Sequence, residues 1–240
     1  MKKTCIVLPM VVLFINCAIK ENTRLTDYVD PFLGTATLWE PEDLGYVRTW
    51  DERTWGAEVF PGSSLPNAMV QLSPITQFRS GAGYQYEDTV IYGFSHTNKG
   101  HWNLLHLPLL PVSGDISPSD FASRFNHGNE SARPGYYRVF LETYGINAEL
   151  TSTLRCGFHK YHFPVGEQRK VLVDITRSNN RVRDWSIQKV DDHTFSGFQD
   201  ADGKIYFYAV VNIPMEEMSQ LKDDHNEVFR VHFRDQHENE

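Results

Sequence analysis

The sequence predicts an all-β protein, an antiparallel β-sandwich with very little helix. Runs of β-branched and aromatic residues recur along the chain, several of them alternate between apolar and polar positions, and polar or glycine-containing turns separate them. Helical periodicity is scarce, and the one short helix that we expect covers residues 119–125, with Ser117 or Ser119 as its cap. Many short strands joined by polar turns are typical of a sandwich.

The predicted strands follow one another at short intervals. In one of them Tyr137, Val139 and Leu141 share a face, as the two-residue period of a strand requires. The dipeptides Tyr144-Gly145 and Asp202-Gly203 stand between neighbouring runs and predict hairpins. A charged segment follows the last run, which we expect to be a poorly paired strand. The predicted runs are 68–72, 90–94, 136–142, 146–153, 171–175, 194–198, 205–211 and 228–233.

The amino terminus is typical of an export signal. Lys2 and Lys3 precede an apolar run over residues 5–15 that is too short to span a bilayer, so residues 1–16 are predicted to be a signal peptide. Residues 14–18 resemble a bacterial lipobox, which predicts lipidation of Cys17, although Asn16 replaces the usual small residue. We expect an exported protein, either periplasmic or an outer-membrane lipoprotein of a Gram-negative bacterium. The alternative is a plain secretory signal with an incidental cysteine.

Residues 17–26 then form a short tether, and residues 27–240 form one domain, since no internal repeat or linker interrupts them. Loss of Cys5 with the signal and lipidation of Cys17 would leave Cys156 alone, so no internal disulfide is expected. The chain has 23 Lys and Arg against 31 Asp and Glu, and removal of the two signal lysines leaves 21 against 31, a charge of −10. No basic cluster is interleaved with aromatics, so nucleic acid is not an expected partner.

The stretch GFSHTNKGHW, residues 93–102, concentrates the chemistry that binds sugars. A sugar ring offers an apolar face for an indole such as that of Trp102 and a rim of hydroxyls for the side chains of His96 and His101. The loop over residues 34–62 adds further tryptophans and acids. The alternative is that these tryptophans, Trp39, Trp50, Trp55 and Trp102, are partly buried core.

Other chemistries are poorly supported. The sequence around Ser95 resembles a nucleophile elbow, but Thr97 occupies the second glycine position and no helix follows, which excludes a serine hydrolase. His96, His101 and His106 are five residues apart, which fits neither a strand face nor a helix face, so no metal site is predicted. His159 and His162 would point to opposite faces of a strand as ordinary histidines. No pair of carboxylates is marked as acid and base, so no catalytic residue is predicted.

Ordered motifs over residues 27–175 resemble the amino-terminal domain of glycoside hydrolase family 92. They are VDPFLGT (29–35), FPG (60–62), MVQLSP (69–74), GYQY (83–86), IYGFSHT (91–97), SRF (123–125), PGYY (134–137), YGI (144–146), AELT (148–151) and GFHKY (157–161). Two departures stand out: Asn98 replaces a second histidine common in the family, and the link between residues 35 and 60 is expanded.

The resemblance implies a specific function. Family members are exo-acting, calcium-dependent, inverting α-mannosidases in which the active site lies between a β-sandwich and a helical barrel. The calcium-associated carboxylates and the general acid and base lie in the helical part, so the resemblance assigns no cofactor to this chain and implies that it is inactive alone. Its expected partners are mannose-containing glycans and a helical catalytic lobe.

The resemblance also assigns roles within the chain. Residues 93–102 would be the sandwich's contribution to the sugar pocket, with His96, His101 and Trp102 in contact and Phe60 and Gly62 shaping the rim. The alternatives are a lipid-anchored glycan-binding module without catalysis, and a non-functional truncated gene product.

Overall fold

The computed structural model describes residues 24–38, 40–47, 56–98, 104–117, 121–222 and 227–234. The predicted signal peptide and Cys17, the tryptophans at 39, 50 and 55, and the predicted sugar contacts His101 and Trp102 lie outside these residues. Within them, helix is confined to 3₁₀ turns at Leu25–Tyr28 and His127–Asn129 and one short helix, α1, at Pro41–Leu44. No helix in this part of the chain is long and apolar enough to cross a membrane.

The rest of the regular structure is strand. The strands are β1 Ser63–Ser64, β2 Gln71–Ile75, β3 Val90–Ile91, β4 Gly93–Ser95, β5 Leu109–Val112, β6 Ser123–Arg124, β7 Glu130–Arg133, β8 Tyr136–Leu141, β9 Ile146–Ser152, β10 Gly157–His162, β11 Lys170–Val173, β12 Asp184–Asp191, β13 Thr194–Asp200, β14 Lys204–Val210, β15 Met215–Lys222 and β16 Glu227–Phe233.

All the strand pairings are antiparallel among the described residues, in four sheets. The largest has seven strands in the order β1-β2-β4-β5-β11-β16-β15. A four-stranded sheet runs β10-β9-β8-β7, a three-stranded sheet β12-β13-β14, and β3 pairs with β6. The predicted antiparallel sandwich is confirmed.

The seven-stranded sheet is the middle layer, because alternate residues of its central strands belong to different cores. On β11, Leu172 packs into a first cluster with Val139 and Leu150 of the four-stranded sheet. Val171 and Val173, on the opposite face of β11, pack into a second cluster bordered by the three-stranded sheet. A strand buried on both faces reads as a continuous apolar run, which explains the run Val171-Leu172-Val173 within β11.

Both predicted hairpins are present. The β8–β9 turn contains Gly145 at φ 64°, and the β13–β14 turn contains Gly203 at φ 104°. These values lie in the left-handed region, which glycine adopts without the steric cost that other residues meet.

Three expectations are corrected. The helix predicted over residues 119–125 is wrong in its described part, because Phe121, Ser123 and Phe125 are all buried, a two-residue period, and β6 pairs with β3 there. The run 68–72 becomes a strand only from Gln71. The last run is not poorly paired: β16 lies inside the sheet, between β11 and β15.

Candidate functional site

The first part of the predicted sugar-binding stretch, residues 93–98, pairs with residues 104–109, which follow it. His96 N donates to His106 O at 3.0 Å, and Leu105 N donates to Thr97 O at 2.9 Å, so the pairing of β4 with β5 continues beyond both strands. Thr97 Oγ1 also lies 2.7 Å from His106 Nδ1. We call residues 93–98 and 104–109 the hairpin stems. The connecting residues 99–103, with His101 and Trp102, are outside the described part of the chain.

Asn98, the departure from the family pattern, anchors the outgoing stem. Its side chain is buried, and Nδ2 donates to Ser73 Oγ at 3.0 Å and to Ala82 O at 2.6 Å. Asn98 also forms a bridge with Leu104 on the returning stem. The amide therefore ties the end of the stem to β2 and to the loop that follows β2.

The returning stem adopts an uncommon backbone conformation. Leu104, Leu105 and Leu107 have φ values of 77°, 62° and 52°. The left-handed region is rare for a bulky residue and costs about 1 kcal/mol or more per position, so surrounding contacts must hold it. The Leu105 side chain occupies the space beside Gly83, where an added Cβ would lie 2.7 Å from Leu105 Cδ1. Strain of this kind collects at functional sites.

His96 connects the hairpin stems to the four-stranded sheet through a chain of hydrogen bonds. Its Nδ1 lies 2.9 Å from Leu107 O, and its Nε2 lies 3.1 Å from His159 Nε2 on β10. His159 Nδ1 lies 2.7 Å from the Tyr161 hydroxyl. The two imidazoles stack with centroids 4.8 Å apart at 25°. We call this set, Leu107 O, His96, His159 and Tyr161, the histidine relay.

The carbonyl end of the histidine relay fixes every proton in it. A carbonyl only accepts, so His96 Nδ1 carries the proton and, in the neutral ring, Nε2 accepts from His159 Nε2–H. His159 Nδ1 is then bare and accepts from the Tyr161 hydroxyl. Both ring nitrogens of His96 are thus engaged inside the protein, which favours a positioning role for His96 over direct hydrogen bonding to a sugar.

Burial keeps both imidazoles neutral. It lowers the pKa of His96 to about 4, an effect partly offset by the bond to Leu107. Burial, with a smaller contribution from the neighbouring His96, lowers the pKa of His159 well below its usual range. Burial also raises the pKa of the Tyr161 hydroxyl. The histidine relay therefore carries no charge near neutral pH.

The predicted rim residues lie close to this assembly. A Cβ on Gly62 would lie 1.7 Å from Leu72 O on β2, so only glycine fits there. The Leu72 side chain occupies the space beside Gly157, whose own Cβ position is 3.3 Å from His96 Cδ2. Gly62 thus meets the backbone of Leu72, and the Leu72 side chain and His96 both border Gly157. Phe60 is half-buried against the first core cluster.

A buried carboxylate forms a second polar cluster, which the sequence did not reveal. Glu130 accepts from the hydroxyls of Tyr84 at 3.0 Å and Tyr137 at 2.6 Å, and lies 2.7 Å from His127 Nδ1. His127 in turn stacks on Tyr86 with ring centroids 4.0 Å apart. Both carboxylate oxygens are engaged within the fold, so this cluster has a structural role.

The structure brings together only some of the candidate groups. Among the described residues, no group of three or more His, Cys, Asp or Glu side chains could hold a metal ion. His159 and His162 lie on opposite faces of β10, as the sequence predicts. His159 is not an ordinary histidine, however, because it is the partner of His96. The two histidines are 63 residues apart in sequence, and no local pattern marks their contact.

The fold and the sequence agree with one family. The family model of the glycosyl hydrolase family 92 N-terminal domain matches residues 28–239. An α-mannosidase of family GH92 from Bacteroides thetaiotaomicron, solved with mannoimidazole, shares 24% identity and a TM-score of 0.75, over 88% of this chain and 30% of that one. The family GH92 inverting mannosidase of Bacteroides thetaiotaomicron VPI-5482 shares 21% identity and a TM-score of 0.71, over 92% and 31%.

These structural likenesses concern the fold, and the chain spans about 30% of the length of these enzymes. No curated protein sequence matches it at a significant level. The match of the family model over most of the sequence carries the assignment. The chain belongs to glycosyl hydrolase family 92 and contains that family's N-terminal domain.

Proposed function

We propose that this chain is the sandwich lobe of an exported mannosidase-like glycoside hydrolase and that it contributes sugar-contacting loops to a pocket shared with a helical lobe. The observation that carries the proposal is the pair of hairpin stems, which are fixed from both sides. Asn98 binds them to β2, and the histidine relay binds them to β10. Hairpin stems that are held from two sides give a fixed support to the five residues that connect them, as a binding loop requires.

The proposed roles of the residues follow from their places in the connection and in the hairpin stems. His101 and Trp102, in the connection, contact the sugar: the indole covers the apolar face of the ring and the imidazole binds a hydroxyl. His96 acts through the histidine relay as a positioning residue, and Gly62 with Phe60 shapes the neighbouring rim. Mannose is the proposed sugar, since both Bacteroides relatives are described as mannosidases and one is a complex with mannoimidazole.

Catalysis requires groups that this proposal places in the helical lobe. Among the described residues, no group of three or more acidic, histidine or cysteine side chains could hold calcium. The buried carboxylate of Glu130 accepts hydrogen bonds from Tyr84 and Tyr137. The family resemblance implies that calcium, the general acid and the general base belong to the helical lobe, and we propose the same division here. Half of a pocket orients a sugar with few polar groups, so weak binding and no hydrolysis are expected from this chain alone.

Calorimetric titration of the full chain with a mannose oligosaccharide tests the binding role. We expect a dissociation constant in roughly the millimolar range, no release of mannose, and a loss of about two- to tenfold in affinity for Trp102→Ala, the worth of an aromatic contact. Trp102→Phe should restore most of the affinity. Tyr206→Ala removes an exposed aromatic side chain from β14 and should leave the affinity unchanged.

Results other than the expected ones would change the proposal in specific ways. A low-micromolar dissociation constant would favour a glycan-binding module that acts without a helical lobe. Absence of binding, or equal losses in Trp102→Ala and Tyr206→Ala, would refute the sugar-contacting role. A large drop in melting temperature for Trp102→Ala would show a core tryptophan, because such a cavity costs about 3–5 kcal/mol.

We further propose that the protein is exported and anchored through a lipid on Cys17. Substitution of Cys17 by alanine should move the protein from the membrane fraction to the soluble fraction of cells. A wild-type protein that is already in the soluble fraction would contradict the anchor and leave the sugar-binding role to its own test.

A further inference from the structure

A cleft of about 300 Å³ opens on the outer face of the four-stranded sheet. The pairing of β7 with β8 places Ser131 opposite Arg138 and Arg133 opposite Tyr136, so these four side chains share that face. The alternate residue on β8, Tyr137, points into the first core cluster. The cleft is therefore on the side of the sheet that faces away from His159 and the histidine relay.

Two arginines dominate the lining. Arg133 and Arg138 are both exposed, and neither forms an ion pair with a carboxylate in the part of the chain that the structure describes. The Arg133 guanidinium lies over the Tyr136 ring, 4.9 Å from its centroid. Two guanidinium groups without a carboxylate partner among the described residues therefore line one cleft, in a chain with a formal charge of −8.

The acid opposite Arg138 in the sheet is bound by other donors. Glu149, opposite Arg138 on β9, accepts from the Tyr136 hydroxyl at 2.6 Å and lies 3.0 Å from His162 Nε2 and 3.5 Å from Lys160 Nζ. These bonds, the Tyr136 bond first, lower the pKa of Glu149 to about 2. The carboxylate is held by its own donors, and its bond to Tyr136 fixes the ring that forms the floor of the cleft.

We propose that this cleft binds a phosphate or sulfate group, carried free or as the ester of a sugar. Guanidinium groups present forked donors that match the oxygens of such anions, and Ser131 supplies a hydroxyl on the same face. Lys160, which lies 3.5 Å from Glu149, balances the charge of that carboxylate and leaves the two arginines as net positive charge. The volume is at the lower end of the range for small-molecule sites, which leaves room for an attached sugar ring.

Calorimetric titrations of the full chain at low ionic strength test the proposal with four probes: inorganic phosphate, inorganic sulfate, a hexose 6-phosphate and the parent hexose. We expect the three charged probes to bind and to weaken as salt is added, because exposed charges are screened. The uncharged hexose should not bind at this cleft. A hexose phosphate that binds more tightly than the inorganic ions identifies an ester, and equal affinities identify a free anion.

Charge-removing variants locate the binding. Arg133→Gln and Arg138→Gln should each weaken hexose phosphate binding by roughly tenfold, as expected for loss of a charged hydrogen bond, and the double variant should abolish it. Arg138→Lys, which keeps the charge but loses the fork, should fall between wild type and Arg138→Gln. The matched control is Arg181→Gln, the same change at an exposed arginine in a loop outside the cleft.

The proposal is overturned if the double variant binds like wild type, if Arg181→Gln loses as much affinity as Arg133→Gln, or if no charged probe binds. Melting temperatures should stay within a few degrees in all variants, since the side chains are exposed. The result is independent of the proposed mannose site, because Trp102→Ala should leave hexose phosphate binding unchanged.

Discussion

Substitution of His96 by asparagine should remove part of the acid sensitivity of the fold. The pKa of His96 falls from 6.5 to about 4 on folding. At about 1.36 kcal/mol per pKa unit, the neutral ring therefore contributes about 3 kcal/mol to the free energy of unfolding, relative to the protonated ring. Because the unfolded histidine binds a proton more readily than the folded one, this contribution is complete above pH 6.5 and is lost as the pH falls towards 4. By about pH 4.5 most of this contribution to stability, roughly 2–3 kcal/mol, is lost.

Urea unfolding followed by circular dichroism measures this loss. Asparagine keeps a donor for Leu107 O but does not titrate, so the stability of His96→Asn should fall by roughly 2–3 kcal/mol less than that of wild type between about pH 7 and pH 4.5. At neutral pH the variant should be less stable by about 1–3 kcal/mol, since His159 Nε2–H loses its acceptor. Other groups also titrate, so the difference between the two proteins is the relevant quantity.

His193→Asn supplies the control, because His193 is exposed on the turn between β12 and β13. The stability of the His193→Asn protein should fall in parallel with that of wild type as the pH is lowered. If His96→Asn also fell in parallel with wild type, the histidine relay would not be a neutral pair held by burial, and the proton assignment would be wrong.

Two further substitutions test the packing around the candidate site. Gly62→Ala should lower the free energy of unfolding by about 3 kcal/mol, because the new Cβ meets a backbone oxygen at 1.7 Å. Gly166→Ala, at φ 81° in open space, should lower it by about 1 kcal/mol. Equal losses in melting temperature for the two variants would contradict the close approach at Gly62. Glu130→Gln should lower the free energy of unfolding by about 2 kcal/mol, because it weakens the hydrogen bonds from two tyrosine hydroxyls. Glu142→Gln, at an exposed position, should change it by less than about 0.5 kcal/mol. If Glu130→Gln were as stable as Glu142→Gln, the second polar cluster would have no structural role.

The strands that the sequence predicted are those with local signals. β8 and β9 combine a two-residue period with a Tyr-Gly turn, and β13 and β14 flank an Asp-Gly turn, so pattern and turn chemistry agree. β15, with the sequence MEEMSQLK, was missed because its composition suits a helix and its pairing with β16 is what makes it a strand. Tertiary pairing overrides local preference in such segments.

The candidate site was predictable only in outline. The stretch that contains His96 was marked by its unusual content of polar and aromatic residues. Its partner His159 belongs to another sheet, and contacts between sheets depend on how layers stack, which no local period records. The same holds for Glu130, whose donors Tyr84 and Tyr137 come from a loop and a neighbouring strand.

The central position of β16 has a consequence for how the chain folds as it is synthesised. β16 is the last described strand to leave the ribosome, yet it lies between β11 and β15 in the middle layer. Until residues 227–233 emerge, β11 presents an open edge with free backbone groups, and both apolar clusters lack a contribution from β16. Until β16 pairs, an added strand from another molecule could occupy that edge, so slow completion of the middle layer would favour aggregation over folding.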